Sequence, residues 1–239
     1  MTRLGTLSGM ALRELWITFR LIPVVGLPVI AGMGVGALPP ELAGVSAIGG
    51  ASFWYALGAG ASVSIAAALA ASTIAHERRR GTMAWMAVRA VPRSAVLVSW
   101  FVAYGLLLAV GIALGAVGAW LAAAARAESP IDPLPFVVAV MALACTALAT
   151  LAAALCIGTL LGRSTAGIVA LLGCAALLAA TVAGPLAGMV LPTAGIGLLA
   201  DLGSGAHPLS DALRSGGVAL GTAAGLLVVA AVVLERVDL

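Results

Sequence analysis

The residues able to do chemistry are few. The 239-residue chain carries two histidines, nine carboxylates, twelve basic residues and three cysteines. Its densest charge is His76-Glu77-Arg78-Arg79-Arg80-Gly81-Thr82-Met83, with Arg89 and Arg93 close behind, set between two long uncharged stretches. A basic knot in that setting suits two tasks. It can hold the phosphates of membrane lipid, or it can grip acidic groups on a soluble partner. Details of the segment favour the second. Gly81 permits a sharp bend, and the Thr82 hydroxyl can accept a bond from a free N–H and start a new helix. Met83, Trp85, Met86 and Val88 then form an apolar face of the kind that anchors interfaces. A plain lipid anchor needs neither the Gly-Thr step nor the apolar patch.

Other chemistry is excluded or unsupported. All twelve basic residues are arginine. A nucleotide-binding loop of the form G-x-x-x-x-G-K-[ST] needs a lysine on the phosphates, so this chain is not itself a P-loop ATPase. No His-Glu-x-x-His stands in the sequence, and His76 and His207 lie far apart. Cys145, Cys156 and Cys174 fall in apolar stretches without C-x-x-C spacing, and read as packing residues rather than metal ligands or a disulfide. No catalytic residue, metal or cofactor is expected of this chain, and no nucleic-acid partner.

The elements that carry the knot belong to a membrane. The chain is 63% hydrophobic and 9% charged, against about 25% charged for a soluble domain. Its mean hydropathy is +1.19. A helix needs about 20 apolar residues to cross the hydrocarbon core, and charge-free windows of that order recur at about 21–38, 50–75, 94–125, 135–162, 164–190 and 215–234. The windows are apolar on all sides, which fits helices and not the alternating strands of a barrel. The expectation is one all-α transmembrane domain over 1–239 with six spans. The apolar run starts late, near Leu21, without a small-residue cleavage site after it, so no cleaved signal peptide is expected.

Residues 3–20 predict an amphipathic helix in the membrane interface. Leu4, Leu7, Ala11 and Leu15 share one face, Arg13 and Arg20 point away, and Trp16 and Phe19 suit the headgroup level. The long 191–214 connection is apolar and glycine-rich, and predicts short re-entrant helices at the outer surface. With the N-terminus inside, ten arginines lie on the inner side and two, Arg126 and Arg214, on the outer. The positive-inside rule therefore puts both termini and the 76–93 segment in the cytoplasm. Within the spans, Gly111-x-x-x-Gly115 allows close helix contact, but in a chain with 30 glycines such spacing is expected by chance.

The segment Glu77-Arg78-Arg79-Arg80-Gly81-Thr82-Met83 resembles the permease subunits of bacterial type-2 ATP-binding cassette transporters. There a glutamate, charged residues and Gly-Thr-(Leu/Met) open the segment between the second and third spans, and a Pro-containing turn leads on. Glu77, Gly81, Thr82 and Arg93 match. The turn here reads Ala90-Val91-Pro92-Arg93, with the proline two positions late, and Trp100 stands where a lysine is common. The six-span layout with an interfacial helix, outer re-entrant helices and the tail Glu235-Arg236-Val237-Asp238-Leu239 is similar too.

The resemblance implies a multi-pass permease of the cytoplasmic membrane. It would pair with a second permease copy, identical or paralogous, and with separate ATPase subunits that hold ATP and magnesium. Residues 76–93 would be the coupling helix, with Glu77, Arg78, Arg79, Arg80, Gly81, Thr82, Met83, Trp85, Met86, Arg89 and Arg93 meeting the ATPase. The second and fifth spans line the path in that family. Ser62 and Thr73, eleven positions and about three turns apart on the second, are the candidate path residues. Spans free of ionisable groups imply a hydrophobic or amphipathic cargo and an outside energy source. The family implies export. Two alternatives stand: a non-transporting assembly or sensor subunit of the same fold, and a stand-alone secondary transporter.

Overall fold

In a computed structural model, the chain is described over residues 2–37, 47–80, 92–127, 132–163, 165–183 and 209–236. These residues are almost entirely helical, with no strand among them. Helix α1 spans Thr2–Ile17. A π-helical turn (Ile22–Gly26), helix α2 (Leu27–Gly34) and a 3-10 turn (Val35–Ala37) follow it. The remaining helices are α3 (Ala47–Arg80), α4 (Arg93–Arg126), α5 (Pro133–Leu161), α6 (Ala166–Ala183) and α7 (Leu209–Arg236).

The sequence explains where helices start, stop and break. α3 and α4, 34 residues each, hold no internal proline and are rich in Ala and Leu, the best helix formers. α5 starts where Pro133 takes a first-turn position, and Asp132 caps it by accepting from the Leu134 N–H at 3.0 Å. It ends at Gly162, whose φ of 55° is the left-handed conformation glycine adopts freely. Pro23 and Pro28 sit in first-turn positions of the π turn and of α2. The stretch expected as a first span, 21–38, is therefore two proline-led pieces rather than one regular helix.

Among the described residues four helices are long and apolar enough to cross a membrane, or five if α1 and the Ile22–Ala37 piece count as one bent span. That pair is bent by 88°. At 1.5 Å per residue α3 and α4 are about 50 Å long, well beyond the ~30 Å hydrocarbon core, so part of each must stand outside it. The 164–190 window is helical from Ala166 to Ala183 after a turn at Thr165, and the rest of it lies outside the described residues. So do residues 184–208, which contain most of the expected re-entrant segment. Residues 209–214 of that segment are instead the first turns of α7.

α3 is the hub: α2, α4, α5 and α6 all pack on it. α7 lies along α5 and touches α4, and α1 rests on α4. The interior is built from alanine (Ala56, Ala59, Ala66, Ala70, Ala103, Ala119) with Tyr55, Tyr104, Leu97 and Leu155 as the large pieces. Small side chains let helix backbones close in and gain dispersion contacts where lipid supplies no hydrophobic drive.

The glycine spacing in α4 is one such contact and not a chance pattern. A side chain on Gly115 would collide with the Pro28 carbonyl, and one on Gly111 would stand 3.0 Å from the Val25 Cα. Gly32 on α2 faces Gly115 with no room for a Cβ. The α2–α4 joint therefore depends on glycine from both sides. Arg126 locks its far end, donating through Nη2 to the Gly36 carbonyl at 2.7 Å.

α1 is oriented by small residues. Ser8, Ala11 and Leu15 are buried, and Leu7 and Leu12 half-buried. Met10, Trp16 (69% exposed) and Ile17 face outward. So the Ala11–Leu15 face meets protein, and the aromatic end of the helix is the outward one.

Candidate functional site

α3 continues as helix through His76–Arg80, so the 76–93 segment begins as a rigid extension of that helix. Successive helical residues point about 100° apart, and the charged run is divided accordingly. Glu77 turns inward and is only 8% exposed. His76 and Arg78 are half-buried, and Arg79 and Arg80 are exposed.

Arg78 is committed inside the protein. Its Nη1 donates to the Thr159 carbonyl near the C-terminal end of α5. A helix C-terminus leaves carbonyls without intrahelical partners and carries partial negative charge, so a guanidinium is well placed there. Gly162 completes the arrangement. A Cβ on it would lie 2.9 Å from Arg78 Nη1, so the helix-ending glycine also makes room for the arginine. The second charge of the run thereby ties α3 to the α5–α6 corner. Of the arginines expected to meet a partner, Arg79 and Arg80 are those turned outward at this end. Arg93 opens α4 directly after Pro92 and is half-buried. Gly81, Thr82, Met83, Trp85, Met86 and Arg89 lie outside the described residues.

Ser62 and Thr73 are both engaged within the protein. Ser62 Oγ donates to the Gly58 carbonyl of its own helix at 2.7 Å. Thr73 Oγ1 donates to the Leu69 carbonyl at 2.8 Å. It accepts from Arg20 Nη1 at 2.5 Å and sits 3.0 Å from the Tyr104 hydroxyl. With its one proton on Leu69, Thr73 is the acceptor for both neighbours, and Tyr104 donates. The result is a polar junction of three elements: the α1–α2 elbow through Arg20, α3 through Thr73 and α4 through Tyr104. Tyr104 is wholly buried.

Sequence reasoning missed this junction. Arg20 was expected on the water-facing side of α1, but Thr18–Arg20 leave the helix in a turn and Phe19 takes a φ of 56°, which redirects Arg20 into the bundle. The signal available was Tyr104 itself, because a buried tyrosine hydroxyl needs a partner. Tyr55 obeys the same rule, donating to the Ile112 carbonyl at 2.5 Å. No cluster of metal-ligating side chains forms among the described residues.

Long apolar helices packed through glycine and alanine, with charge gathered at their ends, define a helical membrane protein. Neither a scan against protein-family models nor a search of curated proteins finds a match to the chain.

Proposed function

We propose that the chain is the membrane-spanning permease subunit of a type-2 ATP-binding cassette exporter, driven by ATP hydrolysed on a separate subunit. The observation that carries this reading is the division of the Glu77–Arg80 run. α3 extends without a break to Arg80, Arg78 clasps α5, and Arg79 and Arg80 are left outward next to Gly81-Thr82. A lipid anchor requires only the charge. A segment that must pass force to the bundle also requires a stiff stem fixed to more than one helix, and α3 supplies one.

In this reading α1 lies in the inner interface, and the 88° elbow turns the chain from the membrane plane into the first span. Six spans cross the cytoplasmic membrane, with both termini and residues 76–93 inside. Arg79, Arg80, Met83, Trp85, Met86 and Arg89 dock on the ATPase. Two permease copies form the path for a hydrophobic or amphipathic cargo.

The test is co-purification. Changing Arg79 and Trp85 together to alanine should release the partner ATPase while membrane insertion stays intact. Full retention of the ATPase by the double variant would overturn the docking assignment. A reporter joined at Asp132 that read as cytoplasmic would overturn the orientation.

A further inference from the structure

We infer that Arg20 is the fixed half of a phosphate site, at the elbow between α1 and α2, that holds the headgroup of an anionic phospholipid. The inference rests on the proposed interfacial position of α1.

Arg20 reaches Thr73 from the elbow and is half-buried. The oxygens it meets, Thr73 Oγ1 and the Tyr104 hydroxyl, are neutral and buried. Among the described residues no carboxylate stands within ion-pair distance of Arg20. A guanidinium held at the edge of an apolar bundle by hydroxyls alone keeps most of its desolvation cost. An anion on its open side would offset that cost.

The surroundings specify the anion. A guanidinium fork matches phosphate oxygens in a bidentate way, and its five N–H donors are more than Thr73 and Tyr104 take up. Trp16 and Phe19 flank the elbow, 69% and 72% exposed, and aromatic rings of this kind sit at headgroup depth. Ile17 and Ile22, also exposed, provide an apolar surface for acyl chains beside it. Glu77 is buried one turn beyond Thr73 on the same face of α3, and Glu14 is the acidic group on the α1 side. It is exposed and lies within electrostatic reach of Tyr104, as Arg20 does. Arg13, exposed beside Glu14, offsets it. Among the groups of α1 and the elbow, Arg13 and Arg20 outnumber Glu14, and Arg20 is the prearranged guanidinium at the lipid surface.

The experiment is a lipid titration read by native mass spectrometry on the full chain in mild detergent, with phosphatidylglycerol and phosphatidylcholine of equal acyl length. The wild type should bind its first phosphatidylglycerol roughly tenfold or more tighter than Arg20→Gln, the scale of a lost charge-assisted bond. Arg20→Lys should fall between them, because an ammonium lacks the fork. Tyr104→Phe keeps the ring, removes the hydroxyl that steadies Thr73, and should weaken binding severalfold. Equal affinity of wild type and Arg20→Gln, or displacement of the lipid by millimolar inorganic phosphate, would overturn the site.

The interfacial reading is checked separately, by a spin label on Met10→Cys with Cys145, Cys156 and Cys174 changed to alanine. A label that reads as aqueous in vesicles defeats the position of α1. A label at headgroup depth with unchanged lipid affinity in Arg20→Gln defeats the phosphate site alone.

Discussion

Arg78 on α3 donates to the carbonyl of Thr159 on α5, and it reaches that carbonyl across the space that Gly162 leaves empty. The arginine and the glycine are thus fitted to each other, and a substitution at one should depend on the other. Gly162→Ala must place a side chain at a φ of 55°, which costs about 1–2 kcal/mol in any background. With Arg78 present it must also displace a guanidinium 2.9 Å from the new Cβ. Arg78→Ala removes the second cost and leaves the first. A double-mutant cycle followed by thermal unfolding in detergent should therefore give a coupling of about 1 kcal/mol. Strict additivity would show that Arg78 does not occupy this place in solution.

The glycines of α4 and α7 look alike in sequence and should behave in opposite ways. Gly115 meets the backbone of α2, whereas Gly221 has nothing within 4 Å of where a Cβ would stand. Gly115→Ala must push α2 away from α4 and break a close-packed joint, an expected loss of about 2–4 kcal/mol by analogy with other overpacked cores. Gly221→Ala adds a better helix former at an open position and should change stability by no more than about 1 kcal/mol, in the stabilising direction. Unfolding midpoints of the two variants, measured under one detergent condition, compare them directly.

The contrast marks where the sequence is informative and where it is not. The positions of α3, α4 and α5 were legible to within about five residues, because charge-free windows bounded by Glu77, Arg93, Arg126 and Asp132 leave little choice. Which glycines are contacts was not legible. Gly111-x-x-x-Gly115 and Gly217-x-x-x-Gly221 have the same spacing, and only the partner helix separates them. Nor does the sequence say which side of α1 meets protein, since apolar residues stand on both. The division of Glu77–Arg80 into inward and outward charges needed the α5 C-terminus, which is 81 residues away in the chain. Helical periodicity contains no information about so distant a neighbour.

Thr73 and Ser62 were paired in sequence as two hydroxyls on one side of α3, and their surroundings now separate them. Ser62 bonds the Gly58 carbonyl of its own helix, and that carbonyl keeps its backbone partner if the hydroxyl is lost. Ser62→Ala should change stability by less than about 0.5 kcal/mol. Thr73 accepts from both Arg20 and Tyr104. Thr73→Val keeps the shape and removes the acceptor the two donors share, leaving Arg20 bonded to Tyr104 alone and the buried tyrosine proton without its acceptor. Removing one partner from buried polar groups costs about 1–3 kcal/mol for each group left unsatisfied. The expected loss is therefore severalfold larger than for Ser62→Ala, and it should shrink in a Tyr104→Phe background, where one of the two donors is already gone. If Thr73→Val proved as mild as Ser62→Ala, the three-element junction would contribute nothing to stability. If the loss stayed undiminished with Tyr104→Phe, it would belong to Arg20 alone.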